Sequence, residues 1–165
     1  MEQIKLPQAA VLTAPNPVTV VCTEKPDGTT NLATVSWWTY LSFNPEMIAY
    51  AMAKTSYSGE IVRGNGKVVL TVPGAEIAEA VMGCGSTTGR ETDKVEKFGI
   101  KLADLPNCSI QIPAHSRVAI QCRMKEFHEV GDHYLYICEV ENVYGNEAEE
   151  ALFAWNGYSQ LRPAK

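Results

Sequence analysis

The pattern of apolar and polar positions along the chain predicts a mainly β protein. Val18 to Thr23 and Lys67 to Val72 are continuous apolar runs rich in β-branched residues, which is typical of buried strands. Ser116 to Phe127 instead alternates apolar and polar residues, as a half-buried strand does. Further strands are predicted at Thr29 to Trp38, Met47 to Ala53 and His133 to Tyr144.

Short helices are predicted between these strands. Each is followed by a glycine that can end it, and the helices starting at Thr55 and Thr92 also have polar capping residues, which is the usual signature of a helix boundary. The predicted helices are Thr55 to Arg63 before Gly64, Ala75 to Met82 before Gly83, and Thr92 to Phe98 before Gly99. Residues 1–16 contain Pro7 and Pro15 and are expected to form an extended lead-in.

The connections between the predicted strands favour an antiparallel barrel. Most of them are hairpin-like, and Lys25 to Gly28 has the Pro-Asp-Gly chemistry of a tight turn. They are too short for repeated βαβ units. We therefore expect a single domain over residues 1–165, built as a barrel of about six strands with short helices in the connections.

Composition narrows the classes of partner and of site. The formal net charge of −5 disfavours nucleic acid, because an acidic chain repels phosphate backbones. The five cysteines form no C-x-x-C pair, and with the three histidines they do not group at zinc-ligand spacing. No apolar stretch is long enough to span a bilayer, and the N-terminus lacks the apolar core of a signal peptide. These features favour a cytoplasmic protein with reduced thiols and without a metal site.

Several common catalytic motifs do not occur in the sequence. The loop Gly83 to Gly89 is rich in glycine, but its spacing is not that of a dinucleotide fingerprint and it follows a predicted helix. There is no phosphate-binding Walker loop and no nucleophile elbow. His128 and His133 flank a turn without an obvious nucleophile beside them.

The segment Asn31 to Trp37 carries polar residues on both faces of a predicted strand. Leu32, Thr34 and Ser36 share one face, and Asn31, Ala33, Val35 and Trp37 share the other. Buried polar groups need hydrogen-bond partners. Either a flat polar ligand lies across this strand, or backbone and water satisfy its side chains at a barrel edge.

A series of short motifs occurs in one order along the chain: NLATVSW (residues 31–37), NP (44–45), KTSYS (54–58), STTGRETDK (86–94) with FG (98–99), and GDHYLY (131–136). This series resembles the flavin reductase-like, FMN-binding split-barrel family, and within it the flavoredoxins. The resemblance extends from about Pro17 to Tyr158. The Ser86 to Arg90 segment departs from the family's S-G-R spacing, and the resemblance carries over to Arg90.

The resemblance implies a six-stranded antiparallel split β-barrel that works as a homodimer, with FMN near the subunit interface. It also implies a set of cofactor-binding residues. These are Asn31, Ala33, Thr34, Ser36, Trp37, Lys54, Thr55, Ser58, Arg90, Lys94, His133, Trp155 and Tyr158.

The chemistry of these residues suits FMN. Arg90 and Lys94 supply positive charge for its phosphate, Trp37 and Tyr158 can stack on its ring, and His133 or Lys94 can stabilise the reduced anion. Each also has a structural interpretation. Arg90 and Lys94 can form a solvated helix face, Trp37 and Tyr158 can be core residues, and His133 can cap a strand. Cys84 lies in the glycine-rich segment and is either exposed and redox-active or inert. We expect it to be inert because no basic residue adjoins it in sequence and no second cysteine is close.

The function implied by the resemblance is that of an oxidoreductase in which hydride passes from NADH or NADPH to FMN and electrons then pass to an acceptor. No side chain is expected to act as a nucleophile or a general base. One alternative is a flavoredoxin-like electron-transfer protein that a partner protein reduces. Another is a non-catalytic module that binds flavin or haem. The related pyridoxamine-phosphate oxidase barrels fit residues 31–37 and 131–136 less well.

Overall fold

A computed structural model of the chain describes residues 1–164 as a set of β-strands joined by short helices. The strands are β1 (Asn16–Pro17), β2 (Thr19–Glu24), β3 (Thr30–Val35), β4 (Trp38–Phe43), β5 (Glu46–Ala53), β6 (Lys67–Pro73), β7 (Leu102–Leu105), β8 (Cys108–Pro113), β9 (Ser116–Val130), β10 (His133–Gly145), β11 (Leu152–Trp155) and β12 (Gln160–Pro163). The α-helices are α1 (Leu6–Leu12), α2 (Tyr57–Asn65), α3 (Ala78–Ser86) and α4 (Lys94–Lys97), and a 3₁₀ turn at Ala75–Ile77 precedes α3. None of these helices is long and apolar enough to cross a membrane.

One large antiparallel sheet organises the molecule. It has seven strands in the order β3-β2-β6-β9-β10-β5-β4. Its two edge strands, β3 and β4, are consecutive in the chain and are separated only by Ser36 and Trp37. The sheet must therefore curl until its edges approach each other. The N–H of Ala51 donates to the carbonyl of Trp37, which extends the β4–β5 pairing past Trp38 towards β3. A three-stranded sheet, β1-β11-β12, and the hairpin β7-β8 complete the described strands.

Both faces of the central strands are buried. Along β2, Val20 and Cys22 belong to one apolar cluster, whereas Val21 belongs to the other. The second cluster fills the inside of the curled sheet and includes the stacked rings of Tyr50 and Tyr136, whose centroids are 4.9 Å apart. Burial on both faces explains why β2 and β6 are continuous apolar runs and β9, which is partly exposed, alternates.

The predicted fold class is confirmed, since the chain is mainly β and its strands are antiparallel. Each of the six predicted strands has an observed counterpart. Sequence analysis missed the edge strand β4, the hairpin β7-β8 and the three-stranded sheet. The short apolar alternation of these strands gives a weak signal on its own.

Several predicted segments differ from the structure. Helix α2 was predicted to end before Gly64, but it continues through Gly64 to Asn65, and Gly66, with a φ of +72°, caps it. The helix predicted over Thr92 to Phe98 is confined to Lys94–Lys97.

The lead-in was expected to be extended, but Leu6–Leu12 is helical, and Pro7 is tolerated because it lies in the first turn. The helix predicted over Ala75–Met82 continues to Ser86 through Gly83, where an added Cβ would lie 2.5 Å from the ring of Phe98. This glycine therefore serves close packing and does not end the helix.

Two glycines of α2 offer a matched test of packing inside the curled sheet. At Gly59 an added Cβ would lie 2.4 Å from the Tyr136 hydroxyl oxygen, whereas at Gly64 it would meet nothing within 4 Å. Tyr136 is wholly buried and stacked, so its ring has little room to move. We predict that Gly59→Ala lowers the free energy of unfolding by about 1–3 kcal/mol, and that Gly64→Ala raises it by roughly 0.5–1 kcal/mol. Urea denaturation of both variants measures this, and equal effects would contradict the packing argument.

Candidate functional site

A cleft of about 660 Å³ opens between the end of β3 and the end of β5. Its volume lies within the range of about 300–1,000 Å³ that is usual for small-molecule sites. Residues 33–37 and 51–53 line it, together with the start of α2 and the end of α3. Because β3 is an edge strand, alternate N–H and C=O groups along it have no strand partner. The split in the sheet thus supplies backbone donors and acceptors to the cleft.

One end of the cleft is rich in hydroxyl groups and backbone amides. Helix α2 begins there, with Ser56 Oγ accepting a hydrogen bond from the N–H of Gly59 at 3.2 Å. The N–H groups of Tyr57 and Ser58 have no partner within the helix, because they belong to its first turn. Further hydroxyls come from Thr55, Ser86, Thr87 and Thr88.

A buried polar network underlies the hydroxyl-rich end of the cleft. The Asn31 side chain is buried, and its Nδ2 donates to Ser58 Oγ at 2.7 Å and to Thr23 Oγ1 at 3.3 Å. The loop after α3 passes so close that a Cβ on Gly89 would lie 1.7 Å from Asn31 Oδ1. Asn31 therefore ties β3, α2 and this loop together, and it is not among the residues that line the cleft.

Lys94 places a cation in the wall of the cleft. Its side chain is only 5% exposed, and Nζ donates to the carbonyl oxygens of Leu32 and Cys84 at 2.7 and 2.8 Å. Burial lowers the pKa of the lysine. In the described part of the chain no carboxylate lies within the 4 Å of an ion pair, and an ammonium group has a third proton to donate. The arrangement leaves a buried positive charge without a counter-charge from the protein.

Cys84 also lines the cleft, but its thiol is not activated. The residue is 2% exposed, and burial raises its pKa to about 11, against a smaller lowering effect of Lys94. A thiolate is the reactive form of cysteine. The neutral thiol agrees with the expectation that Cys84 is inert.

The other end of the cleft is an aromatic mouth. Trp37 is half exposed there, and its ring lies 4.9 Å from that of His133. Its indole Nε1 donates to the Tyr158 hydroxyl at 3.1 Å, which links β3–β4 to the turn between β11 and β12. His133 Nδ1 lies 2.6 Å from Asp132 Oδ1, and this hydrogen bond lowers the pKa of Asp132.

The structure brings most of the predicted site residues together. Those that line the cleft are Ala33, Thr34, Ser36, Trp37, Thr55, Ser58, Lys94, His133 and Tyr158. Both faces of β3 contribute to this set, because the strand borders the cleft along its edge. The Thr34 hydroxyl is already used, since it donates to the carbonyl of Val81 on α3.

Three other predicted residues point elsewhere, each held by a competing partner. Lys54 pairs with Glu129. Arg90 pairs with Glu60 at 2.5 Å and lies over the Tyr57 ring. Trp155 donates to the carbonyl of Arg162, whose guanidinium covers the indole ring. Of the two candidates for the C-terminal aromatic position, Tyr158 lines the cleft and Trp155 does not.

Sequence analysis did not name several residues that line the cleft. Ser56 and Tyr57 lie inside the quoted KTSYS motif, and Thr87, Thr88 and Gly89 lie inside STTGR, so the motifs contained a signal for them. Others, such as Met52, Met82 and Leu161, are apolar residues that reach the cleft only through the fold. No local pattern distinguishes them from core residues.

Curated relatives match the chain at low identity. An uncharacterized protein of Archaeoglobus fulgidus is 27% identical over 76% of this chain and 68% of its own length. A protein named FMN reductase (NADH) RutF, from Agrobacterium fabrum, is 25% identical over 70% of this chain and 64% of its own length. Three other relatives are covered over only 49% to 63% of their lengths. The chain thus spans half to two thirds of most of these proteins.

Solved structures share the fold over nearly the whole chain. A flavoredoxin from Methanosarcina acetivorans superposes with a TM-score of 0.84 at 20% identity, covering 100% of this chain and 92% of that one. An FMN-binding protein from Thermus thermophilus, solved with bound 1-cyclohex-2-enone, has a TM-score of 0.82 at 22% identity and covers 99% of this chain and 94% of that one. The family model described as the flavin reductase like domain matches residues 11–162. The chain therefore belongs to the flavin reductase-like family.

Proposed function

We propose that the chain binds FMN in the cleft and passes reducing equivalents through it. The observation that carries this proposal is the polarity of the cleft, which has hydroxyls and helix amides at one end and an aromatic mouth at the other. FMN has the matching polarity, with a phosphate at one end and a flat three-ring system at the other. The names of the Agrobacterium reductase and the Thermus FMN-binding protein support the same cofactor.

The phosphate is proposed to lie at the start of α2. The free N–H groups of Tyr57 and Ser58 point out of the helix terminus, where the helix dipole favours negative charge. Hydroxyls of Thr55, Ser86 and Thr88 surround this end. The Arg90–Glu60 pair is exposed on both sides, so it contributes little stability and leaves Arg90 able to turn towards a phosphate.

The ring is proposed to lie along β3, with its polar edge against the strand. Flavin carries donors and acceptors on one side of its ring system, and the free edge of β3 presents unpaired backbone groups of both kinds. Lys94 offers its third proton from the wall behind β3, where it can stabilise negative charge on the cofactor. Trp37 and Tyr158 lie at the mouth, where they can contact the ring faces.

Bound FMN would supply two-electron chemistry by accepting hydride and releasing electrons singly or in pairs. NADH or NADPH is the proposed donor. The half-exposed mouth at Trp37 leaves room for a nicotinamide to approach from solvent. In this scheme the protein holds and shields the cofactor, and no side chain acts as a nucleophile.

A second candidate is a flavoredoxin-like electron carrier that a partner protein reduces. Its support is the superposition on the Methanosarcina flavoredoxin together with the exposed aromatic mouth, which a protein partner could cover. A third candidate, a binding module without turnover, predicts retained ligand and no electron transfer.

A homodimer is proposed through the edge strand β4. Tyr40, Leu41 and Phe43 expose apolar side chains there, and Phe43 is 88% exposed. An exposed apolar edge strand is a ready surface for pairing with another chain. We predict a solution mass of twice the chain mass by light scattering, and a shift to the single-chain mass in Phe43→Ser. A wild-type protein that stays monomeric at all concentrations would exclude this dimer.

The first experiment is to record the visible spectrum of the purified protein and then to mix it with a reductant. We predict flavin absorption bands, release of FMN on heating, and bleaching of the bands by NADH or NADPH under argon. Bleaching by dithionite alone would favour the electron carrier. A colourless protein that takes up no added FMN would refute the proposal.

Lys94 provides a test of the cofactor's position. We predict that Lys94→Met weakens FMN binding by about 1.5–3 kcal/mol, which is a roughly 10- to 150-fold rise in Kd. Lys97→Met is the matched control, because Lys97 is an exposed lysine of the same short helix. Fluorescence titration with FMN and with riboflavin measures both. Equal weakening for the two ligands assigns Lys94 to the ring, a loss confined to FMN assigns it to the phosphate, and an unchanged Kd removes it from the site.

A further inference from the structure

Four residues at the mouth of the cleft form what we call the mouth cluster: Trp37, Asp132, His133 and Tyr158. His133 and Tyr158 flank the same indole, one by ring contact at 4.9 Å and the other through the 3.1 Å hydrogen bond. Asp132 lies behind His133. A small molecule that rests against Trp37 can therefore reach both the imidazole and the phenol.

The Tyr158 hydroxyl has a proton to donate. It accepts from the indole of Trp37, which uses one of its lone pairs. Within residues 1–164 its own proton has no recorded acceptor. The bond to Trp37 fixes the oxygen at the mouth, and the free O–H is left for a ligand oxygen.

The backbone also specifies the position of Tyr158. Its φ is +71°, and the two residues before it, Asn156 and Gly157, also have positive φ. A bulky residue in this region is strained, and such strain is concentrated at functional sites. Hydrogen bonds between Asn156 and Ser159 hold the turn in this form. The fold therefore retains a strained turn at residues 156–158, and this turn positions the Tyr158 phenol at the cleft.

His133 is arranged to move a proton. Its Nδ1 is engaged by the Asp132 carboxylate, which leaves Nε2 as the nitrogen without a protein partner in the described chain. The Asp132 side chain is almost fully exposed, so the pair exchanges protons with water. A carboxylate behind an imidazole holds the ring in one orientation.

An acceptor that takes single electrons needs neither the hydrogen-bond donor of Tyr158 nor the proton of His133. Both groups suit an organic acceptor that takes a hydride and a proton. We propose that the mouth cluster binds an α,β-unsaturated carbonyl compound, with Tyr158 donating a hydrogen bond to the carbonyl oxygen and His133 supplying the proton. This inference rests on the proposed FMN function and names the class of its acceptor. The enone bound to the Thermus relative is a molecule of this class.

The step balances as follows. The acceptor's β-carbon receives a hydride from reduced flavin, the carbon–carbon π bond breaks, and its electrons move to the carbonyl oxygen. The Tyr158 O–H stabilises the resulting enolate. The α-carbon then takes a proton from Nε2 of the doubly protonated His133, which yields the saturated ketone, and water returns a proton to Nε2 after the product leaves. Oxidised flavin is regenerated, and two electrons and two protons have been transferred.

The test compares two acceptors on the same reduced holoprotein. FMN-loaded protein is reduced with one equivalent of dithionite under argon and mixed with 2-cyclohexen-1-one or with ferricyanide, which takes electrons without protons. We expect the enone to reoxidise the flavin faster than it does free reduced FMN, with cyclohexanone as the product. In Tyr158→Phe and His133→Asn the ratio of enone rate to ferricyanide rate should fall roughly 10-fold or more. Tyr144→Phe and His128→Asn are the matched controls, since both residues lie outside the cleft, and they should keep the wild-type ratio.

A binding measurement provides a readout independent of turnover. The oxidised holoprotein is titrated with 4-hydroxybenzaldehyde, and the shift of the flavin band gives Kd, which Tyr158→Phe should raise roughly 10-fold. Reoxidation by ferricyanide but not by the enone overturns this inference and leaves the proposed function intact. An unchanged rate ratio in both variants also overturns it. Protein that takes up no FMN overturns both proposals.

Discussion

The incomplete closure of one sheet is the constraint on which the rest of the structure depends. β3 and β4 are the two edges of a seven-stranded sheet, yet only Ser36 and Trp37 separate them in the chain. Two residues cannot connect the edges of a flat sheet of that width, since neighbouring strands lie almost 5 Å apart. The sheet must curl, and the side of β3 that finds no strand partner becomes a wall of the cleft. That wall presents backbone N–H and C=O groups, which side-chain substitutions other than proline leave in place.

The polar side chains that support the cleft differ from these backbone groups. Their burial costs free energy unless each finds a hydrogen-bond partner, so they depend on residue identity. Asn31, Ser58 and Lys94 are buried, and each forms a hydrogen bond with a different segment of the chain. A buried network of this kind stabilises one arrangement of the segments. Loss of any member leaves a buried polar group unpaired, which costs free energy. The charge of Lys94 remains incompletely compensated. A site that retains an uncompensated cation is suited to a ligand that brings negative charge with it.

Sequence reasoning succeeded where a local pattern determines the outcome. The apolar runs of β2 and β6 predicted buried strands. The polar residues on both faces of residues 31–37 left two interpretations open, a bound ligand or a solvated barrel edge, and in the structure this segment lines the cleft. Other outcomes depend on a distant partner. Lys54, Arg90 and Trp155 matched family positions, but in this structure Glu129, Glu60 and Arg162 contact their side chains, and none of these pairings is visible in sequence spacing. Gly83 was predicted to end a helix, whereas the nearby Phe98 ring requires a glycine within it.

The small sheet β1-β11-β12 has a consequence for the order in which the site can form during synthesis. It contributes Ala154, Tyr158 and Leu161 to the cleft, and it pairs residues 16–17 with residues 153–154. Chains are made from the N-terminus, and segments fold as they emerge. The strands β2 to β10 can therefore form the curled sheet before β11 and β12, which complete the cleft, have been synthesised. A ligand can therefore select only nearly finished chains, and its binding energy stabilises the molecule at the end of folding and not at the beginning.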